Sequence, residues 1–87
     1  MGLSMIGIDK LDISQKHKDI GKNVAKYRKE KGLSQLDLSL QLDHKSVSIV
    51  ASAERFYKGK HFNIEHLLKI SEILDIPICS FFEAFEE

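Results

Sequence analysis

The sequence predicts an all-α domain of five helices. Three observations carry that reading. Apolar residues recur at three- and four-residue spacing in successive stretches of the chain. Side chains suited to cap helix N-termini, Ser34, Ser46 and Asn63, stand ahead of three of those stretches. Gly32 and Pro77 fall where helices should stop or restart. At 87 residues the chain amounts to one small domain. A domain of that size buries roughly 60–65% of its unfolded surface and is often marginal alone, so a partner chain would help it.

Residues 1–18 are read as an N-terminal arm, flexible or strand-like, and helical in part where Asp12-Ile13-Ser14 can cap Gln15 to Lys18. Lys10, Lys16 and Lys18 read as an exposed basic tail rather than as phosphate contacts. Residues 19–87 form the domain proper. The first helix is expected from about Ser14 or Asp19 to Lys31, with Ile20, Val24 and Tyr27 as its buried stripe and Lys22, Lys26 and Lys29 outward.

In Leu33-Ser34-Gln35, Ser34 is the expected N-cap, with Asp37 at the capping-box position. Leu38 and Leu42 lie one turn apart, and Ser39 beside them lets another helix come close. The apolar period breaks at Asp43-His44-Lys45. Ser46 offers a second cap, and Val50 and Ala53 then point inward. Val47, Ser48, Ala51 and Ser52 are left outward on a short helix, where small side chains permit close approach to a grooved partner. Two short helices joined by a tight turn in this way have the geometry of a recognition motif.

At these residues the sequence resembles the lambda repressor and Cro-like helix-turn-helix (XRE) family, in the pattern Gln35, Leu38, Ser39 and Glu54. Ile20-Gly21 and Val24 to Arg28 look like that family's first helix, and Leu67, Ile70, Leu74 and Ile76 like its later ones. The resemblance covers about Asp19 to Phe82. It implies a five-helix lambda-repressor-like fold, binding to double-stranded DNA, and dimerisation through the C-terminal end. It also implies an ion pair between Arg28 and Glu54, which has a physical case of its own, because an inward-facing carboxylate needs a partner. The interval from Gln35 to Glu54 is one residue longer than the usual spacing, and the extra residue is placed at Asp43 to Lys45. If Asp43 is the cap instead of Ser46, the groove-facing residues become His44, Lys45, Ser48 and Ile49.

The candidate DNA-contacting residues are Gln35, Lys45, Ser46, Val47, Ser48, Ser52, Lys58, Lys60 and His61. Gln35, opening a helix, can reach a phosphate where the helix N-terminus adds positive potential. Ser48 and Ser52 can hydrogen-bond to base edges, and Val47 and Ala51 can pack on a thymine methyl. None of them has the bidentate reach of Arg on guanine, so the expected sequence preference is modest. In Arg55 to Asn63, Gly59 reads as a turn, Lys58, Lys60 and His61 as phosphate-facing, and Phe56 and Phe62 as cover for the core.

Asn63 caps an expected fourth helix, Ile64 to Leu74, with Ile64, Leu67, Leu68, Ile70, Ser71 and Leu74 as a broad apolar face. Pro77 ends it and starts a fifth at Ile78, in which Cys79 is expected to pack. Phe81 and Phe85 are the expected dimer interface, since so small a domain cannot easily cover every aromatic near its end.

The formal charge is zero, but residues 1–61 carry 12 Lys and Arg against 7 Asp and Glu, and residues 62–87 carry 1 against 6. A +5 half and a −5 half suit a domain that faces phosphate on one side and protein or solvent on the other. The single cysteine excludes an internal disulfide and, with no secretory signal, points to the cytoplasm. No apolar run approaches the roughly 20 residues that cross a bilayer. His61 and His66 lack the companions a metal site needs, so no metal and no cofactor are expected. Without a Gly-rich phosphate loop, paired carboxylates at a cleft, or a nucleophile with base and acid, the chain is not read as an enzyme. The functional expectation is a dimeric, sequence-specific regulator of transcription, most simply a repressor. The alternative is a protein-interaction module such as an antitoxin, with its acidic aromatic end on the partner.

Overall fold

One long helix, α1 (Ile13–Glu30), is the frame on which the helices Ser48–Arg55 and Ile64–Leu74 and the C-terminal segment Ile78–Phe82 pack. The computed structural model describes residues 11–43 and 47–86. Asp12 caps α1 by accepting from the Gln15 amide at 3.1 Å. The helix then runs unbroken through the expected arm boundary at residue 18. It stops as Gly32 predicts. Gly32 takes φ 75°, its amide donates to the Lys29 carbonyl at 2.9 Å, and the Leu33 amide donates to the Arg28 carbonyl at 3.1 Å. Those two reverse bonds satisfy carbonyls the helix end would otherwise leave open.

Helix α2 (Gln35–Gln41) begins with the expected capping box, in which the Ser34 hydroxyl accepts from the Asp37 amide and the Asp37 carboxylate from the Ser34 amide, both at 2.9 Å. Leu38, Ser39 and Leu42 are buried. The Ser39 hydroxyl donates to the Gln35 carbonyl at 2.9 Å, so a polar group costs little in the core. Helix α3 (Ser48–Arg55) starts one residue later than expected. Val47, in right-handed helical conformation, takes the N-cap position without a side-chain cap bond. Ser46, the expected cap, lies outside the described residues.

A 3-10 turn (Tyr57–Gly59) follows, and α4 (Ile64–Leu74) opens on a capping box between Asn63 and His66. Instead of a fifth α-helix, the chain after Pro77 forms a 3-10 helix (Ile78–Phe82). Glu83 is already extended, so five residues remain, too few for more than one α-turn, and no side chain caps the start. With three residues per turn, Ile78 and Phe81 share the inner face while Cys79 points outward, exposed. Cys79 is therefore not the packing residue expected. Among the described residues the fold is all helical, with four α-helices and two 3-10 segments.

The core is a single cluster: Ile20 and Val24 from α1, Leu38 and Leu42, Val50 and Ala53, Phe62, then Leu67, Ile70, Leu74 and Phe81. The apolar face of α4 is narrower than its sequence suggests. Ile64 and Leu68 are 61% and 54% exposed, because they lie away from the stripe formed by Leu67, Ile70 and Leu74. Phe81, expected at a dimer interface, is a core residue with no exposed surface. Its ring meets Tyr27 edge-on, with centroids 6.0 Å apart. The monomer consumes it because the 3-10 helix packs directly on α1.

Buried Asn23 holds that last segment in place. Its amide donates to the carbonyls of Phe81 at 3.1 Å and Glu83 at 2.7 Å, from 58 and 60 residues away in sequence. Asn23→Ala leaves two carbonyls without a donor and should cost about 1–3 kcal/mol. Urea unfolding should show the loss, and amide exchange should accelerate around Phe81 before it does in α1. Uniform exchange across both would remove Asn23 as the tie.

Candidate nucleic-acid interface

The placement of α3 rests on a buried polar network. Arg28 Nε donates to Glu54 Oε2 at 2.7 Å and Nη2 to Oε1 at 3.1 Å, while Nη1 donates to the Leu33 carbonyl at 2.8 Å. The two side chains are 7% and 4% exposed, so this is a two-toothed ion pair shielded from water. The Gln35 amide joins it, donating to Glu54 Oε1 at 2.9 Å. Expected to reach out to a phosphate, Gln35 is instead half-buried and braces α2 against the end of α3.

Gly21 sets the other contact. A Cβ there would lie 2.6 Å from the Ala53 carbonyl oxygen and 2.7 Å from that of Glu54, so only glycine lets α1 approach the end of α3 this closely. Gly21 was expected only as part of the first helix of the family resemblance, with no packing role. Its signal was a glycine inside a helical pattern, which usually marks such an approach. Asn23 and His17 gave no signal, being polar residues on an amphipathic helix.

With its inner face held, α3 turns Ser48, Ile49 and Ser52 into an open cleft whose far wall is Lys60 and His61. Four of the expected DNA contacts, Ser48, Ser52, Lys60 and His61, thus share one surface. Ile49, the residue of the alternative register, stands among them. Val47 is exposed at the start of α3. Lys45 and Ser46 lie outside the described residues, and with them the position of the extra residue in the turn.

The loop beyond α3 is tightly coiled, with Phe56 at φ 54°, Lys58 at 52° and Gly59 at 78°. Left-handed backbone is disfavoured for Phe and Lys, and the surrounding contacts hold them there. His61 Nδ1 lies 2.9 Å from the Gly59 carbonyl. The His61 ring stacks on His17 of α1, centroids 3.8 Å apart, and Phe56 lies nearly parallel to His17 at 6.0 Å. Phe56 is therefore half-buried in this stack, outside the main core. Three cations border the loop over aromatic faces: Lys18 over Phe56 at 5.9 Å, and Arg55 and Lys58 over Tyr57 at 5.5 and 5.4 Å. All three side chains are exposed.

His17 Nδ1 is buried without a hydrogen-bond partner. Burial, and then the positive charge of a protonated His61, hold the His17 pKa below its ordinary 6.5. Between 6.5 and that lowered value the unfolded chain binds a proton that the folded chain does not. Stability should therefore fall as pH drops through that window, and level off below it. Urea midpoints between pH 7.5 and 5 test this. His17→Phe should flatten the curve, and an unchanged curve would assign the slope to another group. Asp37, whose carboxyl is held low by the Ser34 amide and then by its hydroxyl, loses its contribution only below 3.8.

No group of His, Cys, Asp or Glu among the described residues is arranged to hold a metal ion. None of the helices among them is long and apolar enough to cross a membrane. No protein-family model matches the sequence, and no curated protein or solved structure matches the chain.

Proposed function

We propose that the chain is a double-stranded DNA-binding domain of the lambda-repressor-like helix-turn-helix kind, acting as a dimeric regulator that occupies an operator and blocks polymerase. One observation carries the reading: α3 is fixed from within by Arg28, Glu54, Gln35 and Gly21, while its outer face leaves small side chains open beside Lys60 and His61. A helix held rigidly with its outer face in an open cleft bordered by Lys60 and His61 fits a major groove flanked by phosphates. Ser48, Ile49 and Ser52 are the base-reading side chains, and Lys58, Lys60 and His61 the backbone contacts. A two-fold dimer puts two such helices about one DNA turn apart. Since Phe81 is core and Phe85 lies half-buried on α1 beside Lys22, the exposed Phe82 is the aromatic side chain this end offers to a dimer contact.

Selection of duplexes from a random pool at two salt concentrations tests this. A two-fold symmetric site, bound steeply more weakly as salt rises, supports the proposal; no enrichment at low salt sinks it. Once a site is known, Lys58→Ala and Lys60→Ala should each lower the slope of log affinity against log salt by about 1. Unchanged slopes would place phosphate elsewhere. The exposed pairs Leu36 and Leu40 on α2 and Ile64 and Leu68 on α4 favour a second reading, a protein-interaction module such as an antitoxin. Co-purification with a small basic protein would move the balance that way.

A further inference from the structure

A second charged surface lies between α1, the start of α2 and the end of α3. Lys22, Lys26 and Lys29 follow one another along α1, Arg55 faces them from α3, and Arg28, Gln35 and Glu54 form the floor. Glu54 satisfies Arg28. The other four cations form no ion pair among the described residues. Four unneutralised cations around one groove repel one another and attract an anion.

The groove joins the recognition surface. Arg55 also borders a hollow with Ala51, Ser52 and Tyr57, and Ser52 borders the cleft of Ser48, Lys60 and His61. A phosphate backbone lying across α3 could follow this surface onto α1. One end of the groove is already occupied. Phe85 lines it, half-buried, with the Lys22 ammonium 5.6 Å from its ring centre. Asn23, one residue along α1, holds the carbonyls of Phe81 and Glu83 and so directs the chain there. Glu83 and Glu86 give this segment two negative charges and no positive one, and Glu87, outside the described residues, adds a third in the sequence.

We infer that the Lys22, Lys26, Lys29 and Arg55 groove is a phosphate-binding surface, and that the acidic segment anchored by Phe85 competes with nucleic-acid phosphate for it. The segment is a weak internal competitor. Its aromatic anchor keeps the adjacent Glu86 carboxylate close, where a high effective concentration offsets weak individual ion pairing. Polyanions must displace it, which lowers affinity for any backbone and spares discrimination for sites that α3 also reads. This rests on the DNA-binding reading, and the test separates the two.

The experiment compares the full chain with Phe85→Ala/Glu86→Gln/Glu87→Gln. Inorganic polyphosphate is titrated calorimetrically and labelled duplex DNA by anisotropy, at low and high salt, after urea unfolding has shown that both chains fold. The substituted chain should bind both polyanions about three- to tenfold more tightly at low salt, with the gain shrinking as salt screens the charges. Adding Lys22→Gln/Lys26→Gln should abolish the gain. Equal polyphosphate affinity in parent and substituted chain overturns the inference, and so does a gain that survives loss of the two lysines. A polyphosphate gain without duplex binding by either chain keeps the groove as a phosphate-binding surface that the acidic segment screens, and overturns both the DNA-binding proposal and nucleic acid as the competitor.

Discussion

Gly21→Ala is expected to cost about 3 kcal/mol, or roughly 15 °C in midpoint for a domain of this size. The sign makes the prediction sharp. Within an isolated helix Ala is favoured over Gly by about 1 kcal/mol, so propensity alone predicts stabilisation. The added methyl would meet the carbonyl oxygens of Ala53 and Glu54 at 2.6 and 2.7 Å, and backbone atoms cannot rotate away as a flexible side chain would. Helix α1 and the end of α3 must separate, which also stretches the Arg28 to Glu54 pair. Gly32→Ala is the control. A Cβ there meets nothing within 4 Å, and the cost comes only from φ 75°, about 1 kcal/mol. Urea unfolding of both variants decides. If Gly21→Ala is the milder of the two, the close approach is not what holds α3.

Glu54→Ala should be more damaging still, by about 3–5 kcal/mol. The carboxylate receives three donors, two from Arg28 and one from Gln35. Without it, a guanidinium on a residue only 6% exposed keeps its charge and loses its counter-ion. The pair's own contribution is smaller than that figure, because desolvation of both charges offsets much of their attraction. Arg28→Met/Glu54→Leu should therefore be distinctly less destabilised than Glu54→Ala. Measured by urea midpoint, a double variant as unstable as the single one would mean that shape, not charge, matters here. On the proposed function, loosening of α3 should also lower specific duplex binding further than non-specific binding, since in that proposal only the former depends on the pose of Ser48 and Ser52.

Local chemistry made much of this chain legible. Asp12, Ser34 and Asn63 cap helices through bonds between near neighbours, and Gly32 ends α1 by a backbone conformation that costs it little. Such interactions span three or four residues, so their geometry is implied once the helix is. The inward positions Ile20, Val24, Leu38, Val50 and Leu74 followed from helical period. The ion pair of Arg28 and Glu54 was expected from the family resemblance and from the cost of an unpaired inward carboxylate, and it is present. The all-helical class needed no more than this.

What the sequence did not disclose depends on which surfaces meet. Phe81 and Phe82 are adjacent and identical in kind, yet one is fully buried and the other 46% exposed. The choice was made by the register of a 3-10 segment whose carbonyls Asn23 binds from 58 and 60 residues away. Ile64 and Leu68 looked as apolar as Leu67 and Ile70, but a stripe is buried only as far as its neighbours cover it. Gln35 turned from solvent to Glu54 because two helix ends converge there. The meeting of His17 with His61, and of Phe85 with Lys22, has the same origin. Contacts between residues far apart in sequence leave no periodic trace, so they were decided by packing: α3, α4 and the C-terminal 3-10 helix each bury a face on the one long helix, and α2 is held by α3 and α4.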